Sequence, residues 1–544
     1  MFGLAGSSSS ISGGPSELPS KERIASYKPL LDSEVGRQSR NEQTLEIRKQ
    51  KKHQALKKKR GMSNTLNNDD EEWMQLDDEH IVYFFNHATS NTDRLDSIRG
   101  LRCILATCED DATVNTVVHG NALPRLVEYL RPRCPPEFVY ESLWCINNIA
   151  ATAHSQAVFN SGAVKDIMYH LKNNTNNEIR ETCIMALTNI VSDGGEMRLS
   201  VLSQSLIDIL LDILHDLKDP TESLGFQTIW SLCTICQEPL EDGPAMKITA
   251  TLGVVFCNLV QLQKKYMAEI MNDILWAFSY LSKSRPNVLE SVVQLGMIPY
   301  LVTLLNENQM NLQIQPVLKV LGNVVAGTEA QTQSVLDAGI LASLQPLFHD
   351  ANHPWEIRKE AAWMASNICA GSQTQVRALF ETGLIEDLAL IALEDCWQVR
   401  NEAIWAIANF CTGHGSKYIQ NVVDQGGIAP LVTVLAMTSP SEDMICEVLD
   451  ALHKILEVGG FRSREIIEEY DGHVLLNELT LESKSEIATQ KASKILDLFF
   501  GGETIVDECE NCGPQVVDKK FKFGINDPSM EATFDFGDNS NRMF

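Results

Sequence analysis

Apolar side chains recur along most of this chain at the three- and four-residue spacing that predicts amphipathic helices. Seven of the predicted helices share a motif, in which a large side chain is followed four residues later by a polar one. Because residues i and i+4 lie on one face of a helix, each pair should present both side chains on the same surface. The pairs are Trp144/Asn148, Met185/Asn189, Trp230/Thr234, Trp276/Tyr280, Lys319/Asn323, Trp363/Asn367 and Trp405/Asn409.

The motifs return at a nearly constant interval. Their first residues are 41, 45, 46, 43, 44 and 42 residues apart. Helical repeats of about 40–47 residues are typical of HEAT and armadillo solenoids, and an all-α solenoid is therefore predicted over residues 77–501. Glycines that keep the same interval should supply the strained backbone of the tight turns, and only the segments near residues 205 and 250 lack one. These glycines are Gly120, Gly162, Gly296, Gly339, Gly383, Gly427 and Gly472.

Charge separates a basic arm from an acidic remainder. Residues 21–60 contain thirteen Lys and Arg against five Asp and Glu, a net charge of +8; the whole chain carries −27, so the remainder carries −35. Nucleic acid is an unsuitable partner for so acidic a solenoid, because the body would repel phosphate. The tethered arm should instead be attracted to the solenoid, as basic partners should be.

Composition predicts five segments. A disordered leader at 1–20 precedes the basic arm at 21–61, a flexible polar linker at 62–76, the solenoid at 77–501 and a disordered acidic tail at 502–544. The arm has too few apolar side chains to build a core, yet its stretch 41–60 is rich in helix formers and can fold on a partner. A solvated basic tail without a partner is the alternative interpretation.

The combination of this arm with the motif ladder resembles the importin alpha (karyopherin alpha) family of nuclear import adaptors. The resemblance covers about residues 21–500 and implies an all-α, right-handed α-solenoid of about ten armadillo repeats. It implies that the arm is an importin-beta-binding segment that also competes for the solenoid surface. The basic residues that match are Arg37, Arg40, Arg48, Lys49, Lys51, Lys52, Lys57, Lys58, Lys59 and Arg60.

The chemistry of the motif suits an extended basic peptide. Parallel indoles form slots for the aliphatic stems of Lys, with a cation–π attraction of about 0.5–2 kcal/mol. Asn amides offer a donor and an acceptor to a peptide backbone of any sequence. Nearby carboxylates can then bind the ammonium groups. The alternative interpretation is that these Trp residues are simply part of the core. A single Trp would favour this alternative, whereas five Trp at the same repeat position favour a ligand-binding surface.

The resemblance implies two cargo-binding grooves. The N-terminal groove consists of Trp144, Asn148, Met185, Asn189, Asp193, Trp230 and Thr234, and it departs from the family pattern of Trp at Met185 and of Asn at Thr234. Because of these departures, the C-terminal groove is predicted to contribute an unusually large share of the affinity. That groove consists of Lys319, where many members carry Arg, Asn323, Glu360, Trp363, Asn367, Glu402, Trp405 and Asn409, and a spacer of Trp276 and Tyr280 separates the two.

The partners implied are proteins with Lys/Arg-rich nuclear localisation signals, importin beta, and a nuclear export receptor that the last repeats would meet. The protein would then shuttle between cytoplasm and nucleus. Cysteines at apolar helical positions also suggest a reducing compartment. No run of 18 apolar residues predicts a membrane span, and the N-terminus lacks the basic and apolar regions of a secretory signal.

Other function classes find little support in the sequence. It contains no phosphate-binding glycine loop, no HExxH and no nucleophile elbow, so no enzyme and no cofactor is expected. Cys509 and Cys512 form one CxxC, but two further metal ligands are not evident nearby. Two alternatives stay open: an armadillo scaffold of the catenin type, which would bind acidic partners in a basic groove, and a divergent adaptor for a few dedicated cargoes, which Met185 and Thr234 would suit.

Overall fold

The computed structural model describes Trp73 and residues 76–107, 111–262, 268–283, 285–306, 314–349, 353–437, 440–483, 485–501, 515–517 and 520–522. The predicted leader and basic arm, the linker before residue 76 except Trp73, and most of the acidic tail lie outside the described residues. Two compact units are present, one ending at Pro430 and the other beginning at Leu431.

The first unit is built from short helices that follow one another closely. They are α1 (Asp78–His87), α2 (Asn91–Thr107), α3 (Asp111–His119), α4 (Ala122–Tyr129), α5 (Pro136–Ala150), α6 (Ser155–Asn160), α7 (Ala163–Asn173), α8 (Asn177–Ser192), α9 (Gly195–Leu202), α10 (Leu206–Asp216), α11 (Ser223–Cys236), α12 (Asp242–Leu262), α13 (Ala268–Leu281), α14 (Pro286–Gln294), α15 (Met297–Asn306), α16 (Ile314–Val325), α17 (Glu329–Asp337), α18 (Ile340–His349), α19 (Trp355–Cys369), α20 (Gln373–Glu381), α21 (Leu384–Glu394), α22 (Trp397–Thr412), a 3₁₀ helix (His414–Tyr418) and α23 (Ile419–Asp424).

Each of the seven motifs lies within a single helix. These motif helices are α5, α8, α11, α13, α16, α19 and α22, and each packs directly against the next. Their opposite faces are apolar and fully buried, for example at Leu143, Phe278 and Phe410. Burying such side chains supplies most of the driving force for stacking, at about 1.5–3 kcal/mol for each large apolar side chain.

Local sequence signals set the helix ends. Pro136 opens α5 at its first position, where a missing N–H has no cost. The Asn176 side chain accepts a hydrogen bond from the Glu178 N–H at the start of α8. Capping boxes at Thr328 and Ser372 begin α17 and α20.

The turn glycines have two different roles. Gly162 has the left-handed backbone that was predicted, with φ of +80° just before α7. At Gly120, Gly427 and Gly472 the prediction of a strained backbone is wrong, because a neighbour, Asn121, Gly426 or Asp471, takes the left-handed conformation instead. A Cβ at Gly120 would lie 2.4 Å from Val82 Cγ1, so this glycine permits close packing. Ser205, with φ of +63°, replaces the missing glycine near residue 205.

Near residue 250 no turn glycine is needed, since α12 runs through without a turn and Gly253 lies inside this helix. Length and composition would allow this helix to cross a membrane over Asp242–Val260, and α14 with α15 passes the same test as a bent pair. The core helices of soluble proteins also pass it, and α12 packs against α13 and α14 within the first unit.

The second unit continues the helical pattern. Helix α24 (Ile428–Leu435) spans the division, and α25 (Glu442–Glu469), α26 (Gly472–Glu482), α27 (Glu486–Ile495) and a π-helical turn (Leu496–Phe500) follow. Gly460 interrupts α25 with a non-helical backbone at φ 54° and ψ −136°. In the tail, β1 (Gln515–Val517) and β2 (Lys520–Lys522) form an antiparallel pair in which Val516 is opposite Phe521.

Candidate functional site

The N-terminal groove begins on α5. The Trp144 indole is partly exposed and meets the ring of Tyr140, one turn earlier, edge-on at a centroid distance of 6.4 Å. Burial raises the pKa of Tyr140, and the nearby carboxylates of Glu178 and Glu141 act in the same direction. One turn after Trp144, Asn148 is buried, and its Nδ2 has no hydrogen-bond partner.

Helix α8 supplies the next pair and a carboxylate. Asn189 Nδ2 donates to Oδ1 of Asn147, on the preceding motif helix, at 3.1 Å. Asp193 follows the last residue of α8 and is exposed, and its carboxylate accepts a hydrogen bond from the Ser155 hydroxyl. Ser155 was not predicted from the sequence. Nothing in the local pattern connects it with Asp193, 38 positions later.

The two departures from the family pattern have clear structural consequences. Met185 is only 3% exposed, so it packs within the stack and offers little surface to a ligand. Thr234 Oγ1 donates to the Trp230 carbonyl of its own helix at 2.9 Å, which uses its only donor. Partly exposed Trp144 and Trp230 therefore remain as the aromatic side chains of this groove.

The C-terminal groove is carried by α16, α19 and α22. The Trp363 ring lies against the backbone of Gly322, where an added Cβ would be 2.3 Å from Trp363 Cζ3. Only glycine at this position lets the indole approach the preceding helix so closely. On the next helix, Trp405 is 4% exposed and its Nε1 has no hydrogen-bond partner.

The Asn side chains of the motif follow a rule that links neighbouring repeats. Asn323 Nδ2 donates to the Ser279 carbonyl at 3.3 Å and to Ser282 Oγ at 2.9 Å, and Asn409 Nδ2 donates to the Ser366 carbonyl at 3.2 Å. Ser279 and Ser366, like Asn147 in the N-terminal groove, stand three residues after the Trp of the preceding motif. The partners of Asn189, Asn323 and Asn409 thus lie on the preceding motif helix.

Several motif groups remain unsatisfied. Asn367 Nδ2, like Asn148 Nδ2, makes no hydrogen bond, and neither does Asn409 Oδ1. In the case of Asn367, the residue three positions after Lys319 is Gly322, whose carbonyl accepts a hydrogen bond from the Ala326 N–H.

Carboxylates occupy a second fixed position, three residues before a motif Trp. Glu360 Oε1 accepts a hydrogen bond from Lys319 Nζ at 2.7 Å. Glu402 is buried, and its Oε1 lies 3.4 Å from Asn401 Nδ2. Glu141 has the same position before Trp144 and was missed, although the Glu-x-x-Trp spacing could have revealed it.

Between the grooves, the spacer pair forms a single aromatic stack. The rings of Trp276 and Tyr280 are 5.7 Å apart at an angle of 24°, and Trp276 is buried. Within the part of the chain that the structure describes, no group of three or more His, Cys, Asp or Glu side chains is placed to hold a metal ion.

Comparisons with known proteins identify the basic arm, the repeats and the fold. Residues 23–101 match the importin beta binding domain, which includes most of the predicted arm and continues through α1 into α2. Residues 415–456 match the armadillo/beta-catenin-like repeat. A crystal structure of an engineered protein from the Northeast Structural Genomics Consortium has a TM-score of 0.64 at 22% identity, covering 78% of this chain and 98% of that one. The prediction of an all-α armadillo fold is confirmed.

Relatives of similar length carry one family name. Importin subunit alpha-3 of Arabidopsis thaliana is 30% identical over 533 residues, which cover 93% of this chain and 97% of that protein. Importin subunit alpha-1a of Oryza sativa subsp. japonica is 28% identical over 66% of this chain and 68% of that protein. Importin subunit alpha-2 of Caenorhabditis elegans is 26% identical over 63% and 66%. With its armadillo repeats and its importin-beta-binding segment, the chain belongs to the importin alpha family.

Proposed function

We propose that this protein is a nuclear import adaptor that binds Lys/Arg-rich nuclear localisation signals along its two grooves and links them to importin beta through residues 21–61. The family consists of transport adaptors, and the proposal needs no enzymatic activity. The adaptor would move between cytoplasm and nucleus, and its last repeats would meet an export receptor for recycling.

The unsatisfied polar groups carry this proposal. Asn148 Nδ2, Asn367 Nδ2, Trp405 Nε1 and Asn409 Oδ1 are buried and lack hydrogen-bond partners, and all four belong to the residues that the sequence assigns to the grooves. Leaving such a buried group unpaired costs about 1–3 kcal/mol. Because several unpaired groups recur on the motif helices, a ligand that forms hydrogen bonds with them would be stabilised. An extended peptide backbone offers both donors and acceptors to these groups.

Basic side chains of that peptide have suitable partners beside the amides. The partly exposed indoles of Trp144 and Trp230 can flank aliphatic stems in the N-terminal groove, and Trp363 can do so in the C-terminal groove. Asp193 is exposed at the C-terminal end of α8, where the helix dipole also favours a cation. The net charge of −27 attracts basic ligands from a distance.

The basic arm would regulate this binding. Lys57, Lys58, Lys59 and Arg60 belong to the same chain as the grooves, so they would compete with cargo at a high effective concentration. Binding of importin beta to the arm would remove the competitor. The solenoid would begin near residue 77, after the flexible polar linker predicted at 62–76.

The direct test is a titration of a fluorescent Lys-rich peptide into the full chain and into a chain that lacks residues 1–67, with an acidic peptide of equal length as the control. The basic peptide should bind, and the shortened chain should bind it more tightly. Preference for the acidic peptide would instead support a scaffold of the catenin type. Equal affinity of the two chains would reject competition by the arm while leaving the grooves intact.

The burial of Met185 and the inward hydrogen bond of Thr234 favour one narrower candidate, an adaptor for a few dedicated cargoes. A panel of basic peptides with varied residues between the cations separates the two cases. A general adaptor should bind them with similar affinity, whereas a dedicated one should discriminate strongly among them.

A further inference from the structure

The C-terminal groove contains an ion pair that joins two repeats. Lys319 Nζ on α16 lies 2.7 Å from Glu360 Oε1 on α19. The Glu360 side chain is 10% exposed and the Lys319 side chain 33% exposed, so the ammonium covers a largely buried carboxylate from the solvent side. A hydrogen bond between two charged groups is stronger than one between neutral groups.

This pair lies beside the aromatic slot. Glu360 precedes Trp363 by three residues on α19, and Lys319 precedes Gly322 by three residues on α16. Since the Trp363 ring packs on Gly322, the ion pair is one helical turn from the contact between indole and backbone. A basic peptide lying along Trp363 would therefore pass close to Glu360.

We propose that Lys319 is a specificity-determining residue, which occupies the Glu360 carboxylate and so closes this end of the C-terminal groove to a cargo Lys or Arg. This inference rests on the proposed function. A cargo Lys or Arg therefore meets the Lys319–Glu360 pair, which has no net charge, and not a free carboxylate. To bind Glu360 it must displace the Lys319 ammonium, which is tethered to the same chain and cannot diffuse away. The residue of cargo at this position should consequently be uncharged or acidic.

The same arrangement occurs at the start of the N-terminal groove. Arg102 Nε on α2 lies 2.7 Å from Glu141 Oε2 on α5, and Glu141 precedes Trp144 by three residues. Arg99 approaches the other oxygen of Glu141 at 3.6 Å. An internal cation from the preceding repeat thus covers the first carboxylate of each groove. Lys319 is the more accessible of the two close partners, since the Arg102 side chain is only 19% exposed.

The test measures binding of a fluorescein-labelled oligolysine peptide of about ten residues, which spans about 33 Å when extended, to the full chain by anisotropy. Lys319→Met should tighten binding roughly three- to tenfold, the gain expected from one partly exposed ion pair. The affinity of the Lys319→Met variant for the peptide should also depend more steeply on salt concentration than the affinity of the wild type does. Lys319→Arg keeps the charge and should bind like the wild type.

Lys247→Met is a matched control. Lys247 Nζ also lies 2.7 Å from a carboxylate of another repeat, Asp208, and the pair is outside the grooves. This variant makes the same change in net charge but should leave peptide affinity within roughly twofold of the wild type, because exposed charges at a distance are screened by salt. Thermal unfolding of each variant shows whether the change has altered the fold.

Two further variants decide where the gain arises. Glu360→Gln in the Lys319→Met background should remove the gain, because no carboxylate remains to be exposed. The gain should persist in Asp193→Asn, which weakens the N-terminal groove. A Lys319→Met protein that binds no more tightly than Lys247→Met, or a gain that survives Glu360→Gln or disappears in Asp193→Asn, overturns the inference. Failure of the wild type to bind the peptide at all would reject the proposed function itself.

Discussion

The two grooves repeat one arrangement with different side chains. In each, the helix with the first Trp of the groove, α5 or α19, carries a Glu that is paired with a cation of the preceding repeat and an Asn whose Nδ2 has no partner. In each, the Asn of the next motif helix donates to the residue three positions after the first Trp. The second Asn of each groove is therefore anchored at the same position of the preceding motif helix, through a side-chain oxygen in one groove and a backbone carbonyl in the other.

The two grooves differ in the large side chain and in the carboxylate of their second helix, which is α8 in one groove and α22 in the other. Met185 on α8 corresponds to Trp405 on α22, and both are almost completely buried. The carboxylate is Asp193 at the end of α8, whereas on α22 it is Glu402, three residues before the Trp. The comparison shows that the position of the amide does not depend on the neighbouring large side chain, which is Met185 in one groove and Trp405 in the other.

A break in the ion pair between Arg358 on α19 and Asp395, which follows α21, should affect only the C-terminal groove. Arg358 donates to Asp395 from two nitrogens, at 2.6 and 2.7 Å, and the side chains are 18% and 10% exposed. Arg358→Met leaves a largely buried carboxylate without its partner, which should lower the local opening free energy by roughly 3 kcal/mol. Hydrogen exchange of α19 and α22 measures this change.

Arg180→Met is the control in the other groove. Arg180 precedes Met185 by five residues, as Arg358 precedes Trp363, but its Nε makes a single hydrogen bond of 3.3 Å to the Leu171 carbonyl. Its loss should lower the opening free energy of α8 by only about 1 kcal/mol. Equal effects of the two substitutions would contradict the special role of the bidentate pair.

Removal of the aromatic side chains should show which groove binds more tightly. We expect Trp363→Ala/Trp405→Ala to weaken binding of a basic peptide more than Trp144→Ala/Trp230→Ala, with each lost cation–π contact worth about 0.5–2 kcal/mol. Titration calorimetry with the full chain measures the difference.

Truncation of buried Trp405 can also destabilise the helix stack, so Trp405→Phe, which keeps most of the volume, accompanies the double variant. Trp397→Ala, on α22 but outside the motif, should leave affinity unchanged. The expected order is reversed if the Trp144 and Trp230 pair abolishes binding while the other pair barely changes it.

An amide restored at Thr234 should strengthen the N-terminal groove. Thr234→Asn replaces a hydroxyl that donates to its own helix with a side chain that can bind a peptide backbone, so affinity should improve by about 0.5–1.5 kcal/mol. Peptide anisotropy checks the change. Thr303→Asn is matched, because the exposed Thr303 makes the same hydrogen bond to its own helix at 2.9 Å on α15, outside the motif helices. A gain in both variants would show that the effect is not local.

Acid should reduce the contribution of the Arg358–Asp395 ion pair to stability. Burial acts to raise the pKa of Asp395, but the hydrogen bonds from Arg358 and from the Cys396 N–H outweigh it and hold that pKa below its usual value. The folded state therefore binds this proton less readily than the unfolded state, whose Asp pKa is about 3.9. The stabilisation is complete above that pH and is lost as the pH falls through the lower folded pKa.

Thermal unfolding between pH 5 and pH 3 tests this dependence. The difference in midpoint between the wild type and Arg358→Met should shrink as the pH falls through this range, since protonated Asp395 no longer needs the guanidinium. A difference that stays constant would show that the pair contributes through packing and not through charge.

The sequence alone determined the repeat, its motif helices and the family. Period, glycine spacing and the Trp and Asn positions are local patterns, and they repeat often enough that single departures such as Met185 do not hide them. The basic arm could likewise be recognised from composition, and residues 23–101 match the importin beta binding domain. Chemistry also favoured the Asn residues as backbone binders, which remains a prediction.

Only the tertiary structure decided which groups face one another across repeats. The pairs Lys319/Glu360 and Arg102/Glu141 and the acceptor of Asn189 lie about 40 residues apart, and stacking register alone brings them together. The burial of Met185 likewise depends on neighbouring helices. A helical pattern specifies which face of each helix is apolar, but a contact between two helices also depends on their relative shift and rotation, which no single repeat contains.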